Sequence, residues 1–80
     1  MHTKEVFYQV FSKAFEVPVD TVHDELAYQE IAEWDSMSHL VLVTELEVQY
    51  GISIDMEDIL EMGSVSKIAA IMKKYDVNIQ

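Results

Sequence analysis

Ser36 is the residue of this sequence whose surroundings most suggest chemistry. It stands in the stretch EWDSMSHLVL, directly after Asp35, directly before Met37 and three residues ahead of His39. A hydroxyl one helical turn from an imidazole is the minimal pairing of a nucleophile with a base. A third member and an oxyanion hole would complete such a triad, and neither is evident. At helical spacing His39 also turns with Leu42, Val43, Leu46 and Tyr50 toward the expected core. No catalytic residue is therefore assigned. His2, His23 and His39 lack the spacing of a zinc site, and no acidic run matches a calcium loop, so no metal site is expected.

The serine falls where a long apolar helix begins, which gives it a second possible duty as a helix cap. If Asp35 is the cap, the Ser36 hydroxyl is left free to point outward. If Ser36 is the cap, its hydroxyl is held by backbone, and replacing it costs ~1 kcal/mol. Spacing alone allows either.

The elements that must position this site are helical. In KEVFYQVFSKAF, Val6, Phe7, Val10, Phe11, Ala14 and Phe15 recur at helical spacing, and Val17-Pro18 ends this first helix. Residues 17–34 show no sustained period, but Val22, Leu26, Tyr28, Ile31 and Trp34 predict a structured loop packed on the core. The second helix runs from Asp35 to Tyr50, with Gly51 as a left-handed stop. DMEDILEM is a short third helix with acids at the positive end of its dipole. Ser64 caps a fourth from Val65 to about Tyr75, with Ile68, Ala69, Ile71 and Met72 inward and Lys73 and Lys74 at its negative end. GISI is too short and isolated to count as a strand. The expectation is an all-α fold, a four-helix bundle of three main helices and one short one, with a long structured loop between the first two. One domain covers residues 1–80, with an ordered core of about 3–75.

Met37, Val41, Thr44 and Val48 form a second stripe on the second helix, opposite the core stripe. Either the long loop covers it or it faces a partner.

Composition narrows the class of partner. Half the residues are apolar, the net charge is -10, and cysteine is absent, so neither disulfides nor thiolate metal sites stabilise the fold. No apolar run reaches the ~18 residues of a membrane span, and the N-terminal stretch lacks a signal-peptide pattern, so a cytoplasmic protein is expected. Between Lys13 and Lys67 lie thirteen Asp and Glu and no Lys or Arg. Such a surface repels nucleic acid and anionic membranes and suits proteins with basic patches.

The motif DSM, followed by LVLVTELEVQYGISI, a short acidic helix and SVSKIAAIMKKY, resembles the acyl carrier proteins and peptidyl carrier domains. The resemblance extends from Val6 to Tyr75. It implies that Ser36 carries 4'-phosphopantetheine through a phosphodiester and that acyl or aminoacyl groups ride on the arm's thiol as thioesters. The helix start would place the phosphodiester in a favourable field. The implied partners are a phosphopantetheinyl transferase, an acyl- or aminoacyl-loading ligase or transferase, and downstream biosynthetic enzymes with basic and apolar docking patches. A monomer is expected. Partner recognition is assigned to Asp35, Met37, Val41, Glu45, Glu47 and Val48. Carriers of primary fatty acid synthesis are usually acidic at several outward positions of this helix. Here Glu45 and Glu47 remain but Val41 and Val48 are apolar, and together with Trp34 this points to a specialised pathway such as polyketide, peptide or surface-sugar modification. The alternative is an acidic helical adaptor that keeps the carrier fold and binds a protein partner without being modified.

Overall fold

The computed structural model describes residues 2–80. Four α-helices follow one another: α1 (Lys4–Phe15), α2 (Ser36–Tyr50), α3 (Met56–Leu60) and α4 (Val65–Met72), with single 3-10 turns at Val19–Thr21 and Lys73–Tyr75. The helical bundle with one short helix agrees with the expectation from periodicity.

Thr3 caps α1 by accepting the Val6 N–H, and Phe7, Val10, Phe11, Ala14 and Phe15 are buried along one face. The helix ends earlier than Val17-Pro18 suggests. Glu16 takes the left-handed conformation with φ 56°, and its N–H and that of Val17 both return to the Ser12 carbonyl. That closure satisfies the last turn without glycine. At the end of α2 the same role falls to Gly51, with φ 64° and its N–H on the Glu47 carbonyl.

The long loop from α1 to α2 is structured, as its apolar residues predict. Val22, Leu26 and Trp34 are buried in the core. Its backbone lies against the start of α4: the Val65 and Ser66 N–H groups donate to the Leu26 and Asp24 carbonyls, and Tyr28 N–H donates to Gly63 O. The loop thereby satisfies donors that a helix start leaves unpaired. Packing also continues beyond residue 75, where the sequence predicts the ordered core to end. Val77 is buried, Ile79 forms an isolated parallel bridge with His2, and Gln80 exchanges backbone hydrogen bonds with His2 and Lys4.

The one-sign middle of the sequence is partly neutralised in three dimensions. Lys4 reaches Asp24 at 2.8 Å, Lys13 reaches Glu45 at 3.3 Å and Lys74 reaches Asp58 at 2.7 Å. The third pair matters most, because Asp58 is buried rather than displayed at the start of α3. Its carboxylate accepts from Lys74 Nζ and Tyr75 Oη, while Tyr75 Oη accepts the Asp55 N–H at 3.0 Å. These contacts suspend the five-residue α3 from the end of α4. The hydrogen bond from Lys74, and then that from Tyr75, holds the Asp58 carboxyl below its ordinary value, and Asp58 in turn raises Lys74.

The sign of the pH dependence follows. A depressed carboxyl contributes stability that is present above its unfolded value of 3.8 and is lost as pH falls through the folded value. A raised lysine contributes below its unfolded value of 10.5 and loses its contribution as pH rises through the folded value. Both act at neutral pH. Asp58→Asn is expected to lower the melting temperature at pH 7 by on the order of 5–10 °C and to flatten the fall in stability below pH 4. Melting curves from pH 2 to 8 test this; an acid limb unchanged by the substitution would show that Asp58 does not tie α3 down.

Candidate functional site

The site is built where the loop turns into α2. Asp35 is the cap: its carboxylate accepts the Ser38 N–H at 2.9 Å, and Ser38 Oγ accepts the Asp35 N–H at 2.9 Å. The two residues form a reciprocal capping box. Ser38 Oγ also donates to the Glu33 carbonyl, so it fixes the approach of the loop as well. The Ser38 backbone N–H keeps the Asp35 carboxyl below its ordinary value, as an ionised cap. Ser36, the first residue inside the helix, is exposed, and its hydroxyl has no hydrogen-bond partner among the described residues. Of the two arrangements open on spacing, the structure takes the one that leaves Ser36 free. Ser38 is the member the sequence reading missed, although the Asp-x-x-Ser spacing is itself a capping signal.

His39 does not activate this hydroxyl. Trp34 Nε1–H donates to His39 Nδ1 at 3.0 Å, and His39 Nε2 lies 3.2 Å from the Ile59 carbonyl, an acceptor only. That pairing fits an imidazole whose Nδ1 lone pair faces the indole and whose proton sits on Nε2. Neither nitrogen is left to take a proton from Ser36. The chain presents a nucleophile without a base. Among the described residues no group of three His, Asp or Glu side chains is placed to hold a metal ion.

Around Ser36 the surface is apolar. Met37, Val41 and Val48 are 77%, 48% and 76% exposed, so the long loop does not cover the outward stripe. The one hydroxyl in the stripe, that of Thr44, is spent on the Leu40 carbonyl within its own helix. A helix of 15 residues is ~22 Å long. In a molecule of 30 × 25 × 20 Å, α2 spans most of the body and keeps one face outside. Leu40, Met56 and Leu60 add to this surface, at 60%, 69% and 79% exposed. They escaped the sequence reading, though Met56 and Leu60 stand four apart on α3 and Leu40 one turn beyond Ser36. Between α2 and α3 the surface dips into a groove of about 350 Å³, with Ser36, Leu40, Met56 and Leu60 on its wall. Exposed acids flank these segments in sequence: Glu30, Glu33 and Asp35 before α2, and Asp55, Glu57 and Glu61 within and at the ends of α3.

Glu45 and Glu47 are placed differently from the valines. Glu45 pairs with Lys13 of α1, and Glu47 Oε2 accepts the Ile54 N–H at 2.8 Å, holding the segment after Gly51. Both carboxylates serve the domain itself.

Comparison with known proteins agrees with this geometry. Residues 5–72 match the family model described as the phosphopantetheine attachment site. The structure is similar to the solution NMR structure of a holo acyl carrier protein from Geobacter metallireducens, with a TM-score of 0.76 and 26% sequence identity over 88% of this chain and 80% of that one. A search of curated proteins returns no match. The group that defines the family fits the residues present. An unengaged primary hydroxyl is available for a phosphodiester, at a helix start whose partial positive charge favours an anion, beside an apolar groove open to solvent. Over most of its length the sequence and the fold make the same statement, and this chain belongs to the family of carrier proteins that bear covalent 4'-phosphopantetheine.

Proposed function

We propose that Ser36 is the attachment residue and that the protein, a monomer in the cytoplasm, carries acyl or aminoacyl thioesters between enzymes of a specialised biosynthetic pathway. The observation that carries this reading is the division of labour at the head of α2: Asp35 and Ser38 close the cap, and Ser36 alone keeps a free hydroxyl. Because His39 has no nitrogen to spare, deprotonation of Ser36 falls to a phosphopantetheinyl transferase. The attached group supplies a thiol that this cysteine-free chain lacks. The chain's own part is to hold the attachment oxygen at a helix start and to present Met37, Val41 and Val48 along the outward face of the helix that follows it. Incubation with coenzyme A, magnesium and a broad-specificity transferase is expected to raise the intact mass by a single phosphopantetheine. A folded protein left unchanged by several transferases would favour the unmodified adaptor.

The apolar stripe supports a loading enzyme with an apolar contact face inside a basic rim, and so a pathway other than primary fatty acid synthesis. Burying a valine removes about 1.5–3 kcal/mol of exposed apolar surface energy, and each 1.4 kcal/mol is tenfold in binding. Val41→Glu and Val48→Glu are therefore expected to raise the apparent KM of the protein's own loading enzyme about tenfold or more. Since both side chains are outside the core, melting temperatures should stay within ~2 °C of the parent. Normal loading by both variants would remove the stripe from the recognition surface.

A further inference from the structure

We propose that Met37 and Met56 form a reversible oxidation site, at which a hydroperoxide converts both thioethers to sulfoxides and so weakens docking of partner enzymes at Ser36 while the protein stays folded. The docking consequence rests on Ser36 being the attachment residue.

The described methionines fall into two classes. Met37 and Met56 are 77% and 69% exposed, whereas Met62 and Met72 are 2% and 0% exposed. The chain has no cysteine, so its thioethers are the groups that peroxide oxidises most readily before any arm is attached. Met62 and Met72 lie within the hydrophobic core, where a reagent reaches them only when the domain opens. Position then adds to exposure. Met37 directly follows Ser36 as the second residue of α2, and helical side chains lean toward the N-terminus, which carries its thioether toward the helix start. Met56, the first residue of α3, shares the wall of the groove between α2 and α3 with Ser36. Both exposed sulfurs therefore belong to the surface around the attachment hydroxyl.

The exposed apolar neighbours Leu40, Val41 and Leu60 are hydrocarbons and do not react with peroxide, so the change is confined to the two methionines. In the oxidation a sulfur lone pair attacks one peroxide oxygen, the O–O bond breaks and an S–O bond forms. The proton on the transferred oxygen passes to the departing hydroxide, which leaves as water; sulfur gives up two electrons and the peroxide takes them. The product is a polar sulfoxide, which a partner's apolar face would strip of water without returning a donor. Neither side chain has core contacts to lose, and methionine sulfoxide reductases restore the thioether while two thiols become a disulfide and the oxygen leaves as water.

The protein without its arm is treated with hydrogen peroxide, and peptide mass mapping follows each methionine. Met37 and Met56 are expected to oxidise at least about tenfold faster than Met62 and Met72, with the melting temperature held within ~2 °C. Met1 lies outside the described residues, and its peptide is followed separately. A broad-specificity phosphopantetheinyl transferase with coenzyme A then reads docking. The apparent KM for the oxidised protein should rise at least about fivefold and return to its starting value after reductase and dithiothreitol. In the double variant Met37→Leu, Met56→Leu, with side chains of similar volume, peroxide should leave the variant's own KM unchanged. Oxidation of Met62 or Met72 as fast as Met37 and Met56 would overturn the proposal. So would an unchanged KM after oxidation, a rise that the reductase does not reverse, or a peroxide effect that persists in the double variant. Failure of the untreated, folded protein to accept phosphopantetheine overturns the attachment reading and the docking consequence with it, a result distinct from the peptide map, which needs no transferase.

Discussion

Ser36→Ala is expected to abolish attachment of 4'-phosphopantetheine completely while the helical circular dichroism persists and the melting temperature stays within about 2 °C of the parent. The Ser36 hydroxyl holds no partner among the described residues, and alanine is an excellent helix former at an exposed first-turn position. Nothing in the fold is lost with that oxygen. Ser38→Ala should do the reverse. Its hydroxyl accepts the Asp35 N–H and donates to the Glu33 carbonyl, so its removal opens half of the capping box and frees the loop at Glu33. The expected cost is ~1 kcal/mol, or roughly 4–8 °C in a domain of this size. Attachment should survive, because the Ser38 backbone N–H still meets the Asp35 carboxylate. Intact mass and melting curves on the two variants therefore separate two serines that sit two residues apart. Loss of attachment in Ser38→Ala with retention in Ser36→Ala would move the site and sink the assignment.

The contrast between these serines also marks what the sequence makes legible. The helices are readable because periodicity and stop signals are local: the Phe7, Phe11 and Phe15 spacing defines α1, and Gly51 defines the end of α2. The identity of the cap is a matter of one backbone geometry, which Asp35 and Ser36 can each satisfy in sequence. In sequence Asp58 is simply an acid at the positive end of a helix dipole, because its partners Lys74 and Tyr75 lie 16 and 17 positions away. Leu40 stands between the two stripes of α2, and periodicity alone does not say which side it takes. Glu16 shows the same limit at short range, where a left-handed non-glycine closes α1 before Pro18 is reached. Hydrophobicity alone places Trp34 in the core, but its hydrogen bond to His39 depends on how the loop meets α2, which no local pattern carries.

Trp34→Ala is expected to be the most damaging single substitution in the chain. The side chain is 0% exposed and contacts Phe15 at 5.0 Å, Phe11 at 6.1 Å, Tyr28 at 6.2 Å and His39 at 6.2 Å between ring centroids. It thus joins α1, the long loop and the head of α2. Truncating a buried aromatic to alanine costs about 3–5 kcal/mol, and a domain has about 0.05–0.15 kcal/mol of stability per residue. The substitution consumes much of what holds this small domain folded, and a melting temperature lowered by about 15 °C or more should be seen by calorimetry. Trp34→Phe separates packing from the polar bond. The phenyl ring keeps part of the packing on Phe11, Phe15 and Tyr28 but removes the hydrogen bond to the half-buried His39 Nδ1, a loss of about 0.5–1.5 kcal/mol. That variant should fold and still accept phosphopantetheine on Ser36, with a melting temperature between those of the parent and Trp34→Ala. If Trp34→Ala instead melts within a few degrees of the parent, the aromatic stack is not the keystone of the core.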